Sequence, residues 1–154
     1  MNEHPSPADD PLDLQRFVVA QAKDYPQALA ELRAGKKVTH WIWYVLPQLR
    51  GLGSSPHATF YGIASAHEAR AYLAHPVLGA RLRECVSAMN ALGEASAVRV
   101  LGPVDAAKFQ SCLTLFHFVA PHEALFAQAL DKFFAGAPDA TSLAMLTAGT
   151  TAAE

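Results

Sequence analysis

At 154 residues and 16.5 kDa the chain has the size of one domain. Apolar residues make up 51% of it and charged residues 17%, enough apolar surface to offset chain entropy, so a largely disordered chain is excluded. A net charge of -2 and a pI near 6.4 exclude a generally basic nucleic-acid binder, though not a local basic patch.

Residues 1–10 are polar, carry Pro5 and Pro7, and read as a disordered tail without the basic and apolar regions of a signal peptide. From there Leu14, Phe17, Val18 and Gln21 follow helical spacing, and Asp10 with Pro11, or Asp13, can open that helix. Pro26 suits the first position of a second helix, with Ala28, Leu29 and Leu32 as its stripe and Gly35 as its stop. The segment from Thr39 to Gln48 is rich in aromatic and β-branched residues. It reads as a short helix capped by Thr39 and closed before Pro47, because no partner strand is evident. Gly51 to Ser55 forms a loop, and Ser55-Pro56 supplies a cap and first position for a helix carrying Phe60, Tyr61 and Ile63.

Ser65 and Glu68 match a capping box for a helix running through Leu73. His75 and Pro76 restart the chain, His75 as a cap. The helix from Pro76 to Leu92 buries Val77, Leu78, Leu82, Cys85, Val86 and Met89. A short helix over 96–101 follows, then the most apolar helix over 104–119, another over 121–134 and a last one over 140–148, with 150–154 fraying. The expected fold is all-α: one domain over 11–149 of about eight to nine short helices in α-α orthogonal, superhelical-like packing. Cys85 and Cys112 lie in apolar stretches without metal spacing, which favours reduced thiols and a cytoplasmic location. No apolar run is long enough for a membrane span, and the seven histidines include no paired metal spacing, so neither metal nor cofactor is expected.

Four features carry possible chemistry. The loop containing Gly51, Gly53 and Ser55 before Pro56 either cradles an anion or is a tight turn with a serine cap. Trp41, Trp43 and Tyr61, with His40 and Gln48 nearby, form either a core aromatic cluster or a stacking face for a planar ligand. Lys108, Ser111 and Thr114 make a polar ribbon on an apolar helix, either lining a pocket or solvated. Lys108 is the only Lys or Arg between Arg99 and Lys132, and Asp105 or Asp139 is its expected partner. No hydrolase elbow and no Walker sequence is present.

The runs DLQRFVVAQ (13–21), YPQALAELRAGKKVTHWIWYVLPQLRGLGSS (25–55), EARAYLAHPVLGARL (68–82), DAAKFQSCLTLF (105–116) and GAPDATSLAML (136–146) resemble DUF1810, a bacterial family of unknown function. That resemblance implies a mainly helical cytosolic domain and no established reaction. Its polar signature falls on His40, Trp41, Trp43, Gln48, Gly51, Gly53, Ser55, Tyr61, His75, Asp105, Lys108, Ser111, Thr114, Asp139 and Thr141, with Thr39 where serine is common. A looser similarity runs to NADAR-type domains, which process ADP-ribose, although their acidic signature before the aromatic segment is missing.

The expectation is a binder of a small anionic or nucleotide-like molecule, with no membrane and no general nucleic-acid partner. Trp41, Trp43, Gln48, Gly51, Gly53, Ser55, Tyr61, Lys108, Ser111 and Thr114 are the expected binding residues. Asp105, Asp139 and His40 are the candidates for a base if a reaction occurs. One alternative is a non-catalytic interaction or structural module. Another is an ADP-ribose-type glycosidic hydrolase.

Overall fold

A computed structural model of the chain describes residues 9–153, with side chains to residue 149. Among the described residues there are nine helices and no strand. They are α1 (Gln15–Ala34), α2 (Ile42–Val45), α3 (Pro56–Tyr61), α4 (Ala66–Ala74), α5 (Leu78–Asn90), α6 (Ala97–Leu101), α7 (Pro103–Val119), α8 (Ala124–Phe134) and α9 (Ala140–Ala153). Most of the expected N-terminal tail lies outside the described residues. Asp10 does not belong to a tail, because its carboxylate accepts from the Leu14 and Gln15 amides at 2.9 Å and so caps α1.

Several boundaries differ from the sequence reading, each for a local reason. The two helices expected on either side of Pro26 are one, with Pro26 inside α1. Ala22 and Pro26 are both exposed, so water reaches the carbonyl that loses its amide partner. Gly35, at φ 76°, ends the helix as expected. The Thr39 segment is helical only over α2 and Thr39 does not cap it, because its hydroxyl is bonded to Glu31. Val77 is exposed rather than buried, standing just before α5. Helix α9 runs to Ala153, beyond the expected end at 148.

The caps at Ser55, Ser65 and Ser96 each accept from the amide three residues on, and His75 Nδ1 accepts from the Val77 and Leu78 amides. Helix α7 is the centre of the domain. It packs against α4, α6, α8 and α9, while α1 covers α5 and α2. Phe109, Phe116, Leu82 and Trp41 are buried in one core, and Cys85 and Cys112 are free thiols within it. Burial pushes the Cys85 thiol up to about 12 and the Cys112 thiol well above its ordinary value. Among the described residues no helix is long and apolar enough to cross a membrane.

Candidate functional site

Two buried ionic anchors, neither anticipated from the sequence, set the geometry of the candidate site. The first is Glu31, in the last turn of α1. Its carboxylate accepts from the Val38 and Thr39 amides at 2.8 and 3.0 Å, the Thr39 hydroxyl at 2.6 Å, Gln27 Nε2 at 2.9 Å and Trp41 Nε1 at 2.9 Å. Burial alone would raise its pKa, but the hydrogen bonds from Thr39, Val38 and Gln27 outweigh that and hold it at about 2. Glu31 therefore stays charged and folds the 36–41 segment around itself. Lys37 is turned inward as a result, with Nζ 2.9 Å from Asp105 and 5.0 Å from the centre of the Trp41 ring.

The second anchor is Arg16, paired with Glu68 at 2.7 Å, both side chains almost wholly buried. The same guanidinium donates to the carbonyls of Leu12, Asp13, Phe60 and Gly62. It thereby fixes the end of α3. The opposite side of that turn is held by a parallel bridge between Leu49 and Ile63, with Ile63 N donating to Gln48 O at 2.9 Å and Arg50 N to Ile63 O at 2.8 Å. Gly62 makes this approach possible: a Cβ there would sit 2.6 Å from Arg50 Cα and 2.7 Å from Ala58 O.

With α2, α3 and α7 so placed, Trp43, Gln48, His57, Tyr61, Gly62 and Lys108 border one small cleft. Its enclosed space is about 10 Å³, room for a single water, and it opens to solvent. His57 leans on Trp43 with ring centres 4.6 Å apart, and Lys108 Nζ stands 5.3 Å from the centre of the Trp43 ring. Lys108 reaches Asp105 only at 4.0 Å, whereas Lys37 holds the same carboxylate at 2.9 Å. Among the described residues the side-chain polar atoms of Gln48, His57, Tyr61 and Lys108 have no hydrogen-bond partner. The cleft thus offers cationic, amide, imidazole and phenol groups beside an exposed indole edge.

The structure brings Trp43, Gln48, Tyr61 and Lys108 together and places the other expected residues elsewhere. Trp41 is buried and bonded to Glu31, so it is core rather than a stacking face. Ser111 and Thr114 are buried. Their hydroxyls donate back to the carbonyls of Ala107 and Gln110, and Thr114 Oγ1 also accepts from the Asp139 amide at 2.8 Å. Thr114 thus ties α7 to the start of α9, and neither Ser111 nor Thr114 borders the cleft with Lys108. A Cβ built on Gly51, at φ 102°, would stand 3.3 Å from Met145 of α9, and one on Gly53 3.0 Å from Ala58; neither glycine borders the cleft. Ser55 spends its oxygen on the Ala58 amide, and α3 has only six residues.

The base candidates divide in the same way. Asp139 is committed to the Ser142 amide and hydroxyl at 2.8 and 2.6 Å. His40 is exposed, and its backbone carbonyl accepts from the Tyr44 phenol. Asp105 alone adjoins the cleft, between Lys37 and Lys108. His57 was missed by sequence reading, although its place one residue into the Ser55-Pro56 helix, a turn before Tyr61, was visible. Among the described residues no three His, Cys, Asp or Glu side chains converge as metal ligands.

The family model described as a protein of unknown function, DUF1810, matches residues 11–146. The chain belongs to the DUF1810 family. Its match spans every element that builds the cleft. This DUF1810 chain is also similar to a solved structure, the conserved hypothetical protein Rv1873 from Mycobacterium tuberculosis. The two are 47% identical, the similarity covers 90% of this chain and 99% of that one, and the TM-score is 0.88. No curated protein matches this DUF1810 member.

Proposed function

We propose that this protein binds a small anionic, nucleotide-like molecule at the cleft between α2, α3 and α7. One observation supports the reading most: four polar side chains, Gln48, His57, Tyr61 and Lys108, surround an indole edge without hydrogen bonds of their own. Polar groups left unspent around an aromatic surface are what a ligand site requires. Because the enclosed space holds only one water, the ligand lies across the mouth. Its planar part rests on Trp43 and His57, and its charge faces Lys108. Buried thiols with no disulfide, and kinship to a bacterial protein, support the bacterial cytoplasm as the setting.

The test is a titration with pyrophosphate, AMP and ADP-ribose followed by tryptophan fluorescence, since Trp43 is the half-buried indole. A saturable change at low salt, weakened at least about ten-fold by Lys108→Met, is expected for an anion held by one ammonium. No response to any of the three at millimolar concentration overturns the reading. A catalytic version, ADP-ribose-type glycosidic hydrolysis, relies on Asp105 as its base and is read by product release during the same titration.

A second reading, a non-catalytic interaction module, draws on Val38, Val98 and Val104, which are 67%, 54% and 67% exposed. Val98 lies in α6 and Val104 in the first turn of α7, and Val38 follows Lys37, whose amide is bonded to Val100 O of α6. Such valines concentrate apolar surface on the side of the domain nearest Lys37.

A further inference from the structure

A larger cavity lies where the extended bridge meets α4 and α9. Its volume is about 280 Å³, against about 10 Å³ for the cleft at Trp43. Arg50, His67 and Arg70 border it, and among the described residues no Asp or Glu lines it. Leu49, Ala64, Ala66, Met145 and Leu146 are among its apolar lining, and the wall is chiefly apolar. Glu68, the nearest acidic residue in sequence, is buried on the Arg16 side and does not neutralise the rim.

The rim cations have little to do within the protein. Among the described residues Arg70 has no hydrogen bond or ion pair, and Arg50 uses only its Nε, donating to Thr59 O at 3.1 Å. Their planar forks are therefore open on a concave, mainly apolar surface. Guanidinium groups match the geometry of carboxylate and phosphate oxygens, and an apolar wall beside them rewards a ligand with a hydrocarbon body. Gly51, at φ 102°, lies beside that wall: a Cβ built there would stand 3.3 Å from the tip of Met145.

We infer that this cavity is a second binding site, taking an amphipathic anion with a carboxylate or phosphate head on an apolar body of roughly six to ten carbons. Arg50 and Arg70 hold the head, with His67 beside them, and the body lies against Ala66, Met145 and Leu146. The site is independent of the cleft at Trp43, although the bridge is a wall of both: Gln48 and Gly62 face one, and Leu49, Arg50 and Ala64 the other.

Isothermal titration of the full chain with octanoate, phenyl phosphate and, as an uncharged control, n-octanol tests the inference. Saturable binding of at least one anion is expected, with octanol at least ten-fold weaker. Arg50→Met and Arg70→Met should each weaken the anion at least ten-fold, and Ala66→Leu should block it by filling the apolar wall. Lys108→Met should leave it unchanged, which separates this site from the one proposed above. Thermal unfolding shows that each variant is folded. Equal binding of octanol, insensitivity to both arginine substitutions, or no saturable binding of either anion at millimolar concentration overturns it. Octanoate without phenyl phosphate, or the reverse, assigns the head group.

Discussion

The indole of Trp41 donates its Nε1 hydrogen to the Glu31 carboxylate at 2.9 Å, so the largest buried side chain is bonded to a buried charge. The folded pKa of Glu31 is about 2, below its ordinary 4.5. A depressed carboxyl pKa stabilises the fold above the unfolded value, and the benefit disappears as pH falls through the folded one. Glu31→Gln should therefore lower stability at pH 7 by about 3 kcal/mol, the free-energy equivalent of that shift. Urea titrations of both proteins should show the gap closing between pH 4.5 and 2.

Removing one member of the Arg16–Glu68 pair leaves the other charged and buried, which typically costs about 3–5 kcal/mol. Glu68→Gln and Arg16→Met should each show a loss of that order in chemical denaturation. The double variant should lose less than the sum, because no orphaned charge remains.

Gly62→Ala places a methyl against the Arg50 backbone and the Ala58 carbonyl, neither of which is a flexible side-chain end. A loss of about 1–3 kcal/mol is expected from the forced shift. Chemical-shift changes in the amides of Arg50 and Ile63 would locate the damage at the bridge, whereas an unperturbed bridge would contradict it.

Both thiols should resist a thiol-reactive dye in the native protein at pH 8. Cys85, with a pKa of about 12, supplies almost no thiolate there, and Cys112 is fully buried. Two equivalents should react in denaturant. Rapid native reaction of either would show an opening that the packing of α5 and α7 does not provide.

Phe116→Ala should cost about 3–5 kcal/mol, since its ring is wholly buried between Tyr72 and Phe126. The denaturation midpoint reports it.

Local signals in the chain were read well where the physics is local. The serine caps at 55, 65 and 96 and the His75 cap need only residues within one turn, and the helical periods placed α4 to α8 closely. Pro26 misled because its usual place is a helix start, and only the exposure of Ala22 shows why α1 can run through it. At the candidate cleft, Trp43, Gln48, Tyr61 and Lys108 stood out as unusual residue types in the sequence. Which of Trp41 and Trp43 is the buried one, and the bond between Thr114 and the start of α9, did not, because adjacent positions on a helix do not reveal which neighbour covers them. Arg16, Glu31 and Glu68 look like ordinary surface charges in sequence; their partners lie 52 residues apart in one case and ten in the other.

The Arg16 cluster also bears on how long the protein stays folded. Its guanidinium is satisfied only after Arg16 meets residues 60–62 and 68, across separations of 44 to 52 positions. Closing loops of that length costs entropy before the contacts repay it, which makes these bonds candidates to form on the native side of the folding barrier. Interactions absent from the transition state leave the folding rate nearly untouched and retard escape from the native state. On that basis Arg16→Met should speed unfolding in stopped-flow denaturation while leaving the folding rate nearly unchanged, and an equally slowed folding limb would contradict it.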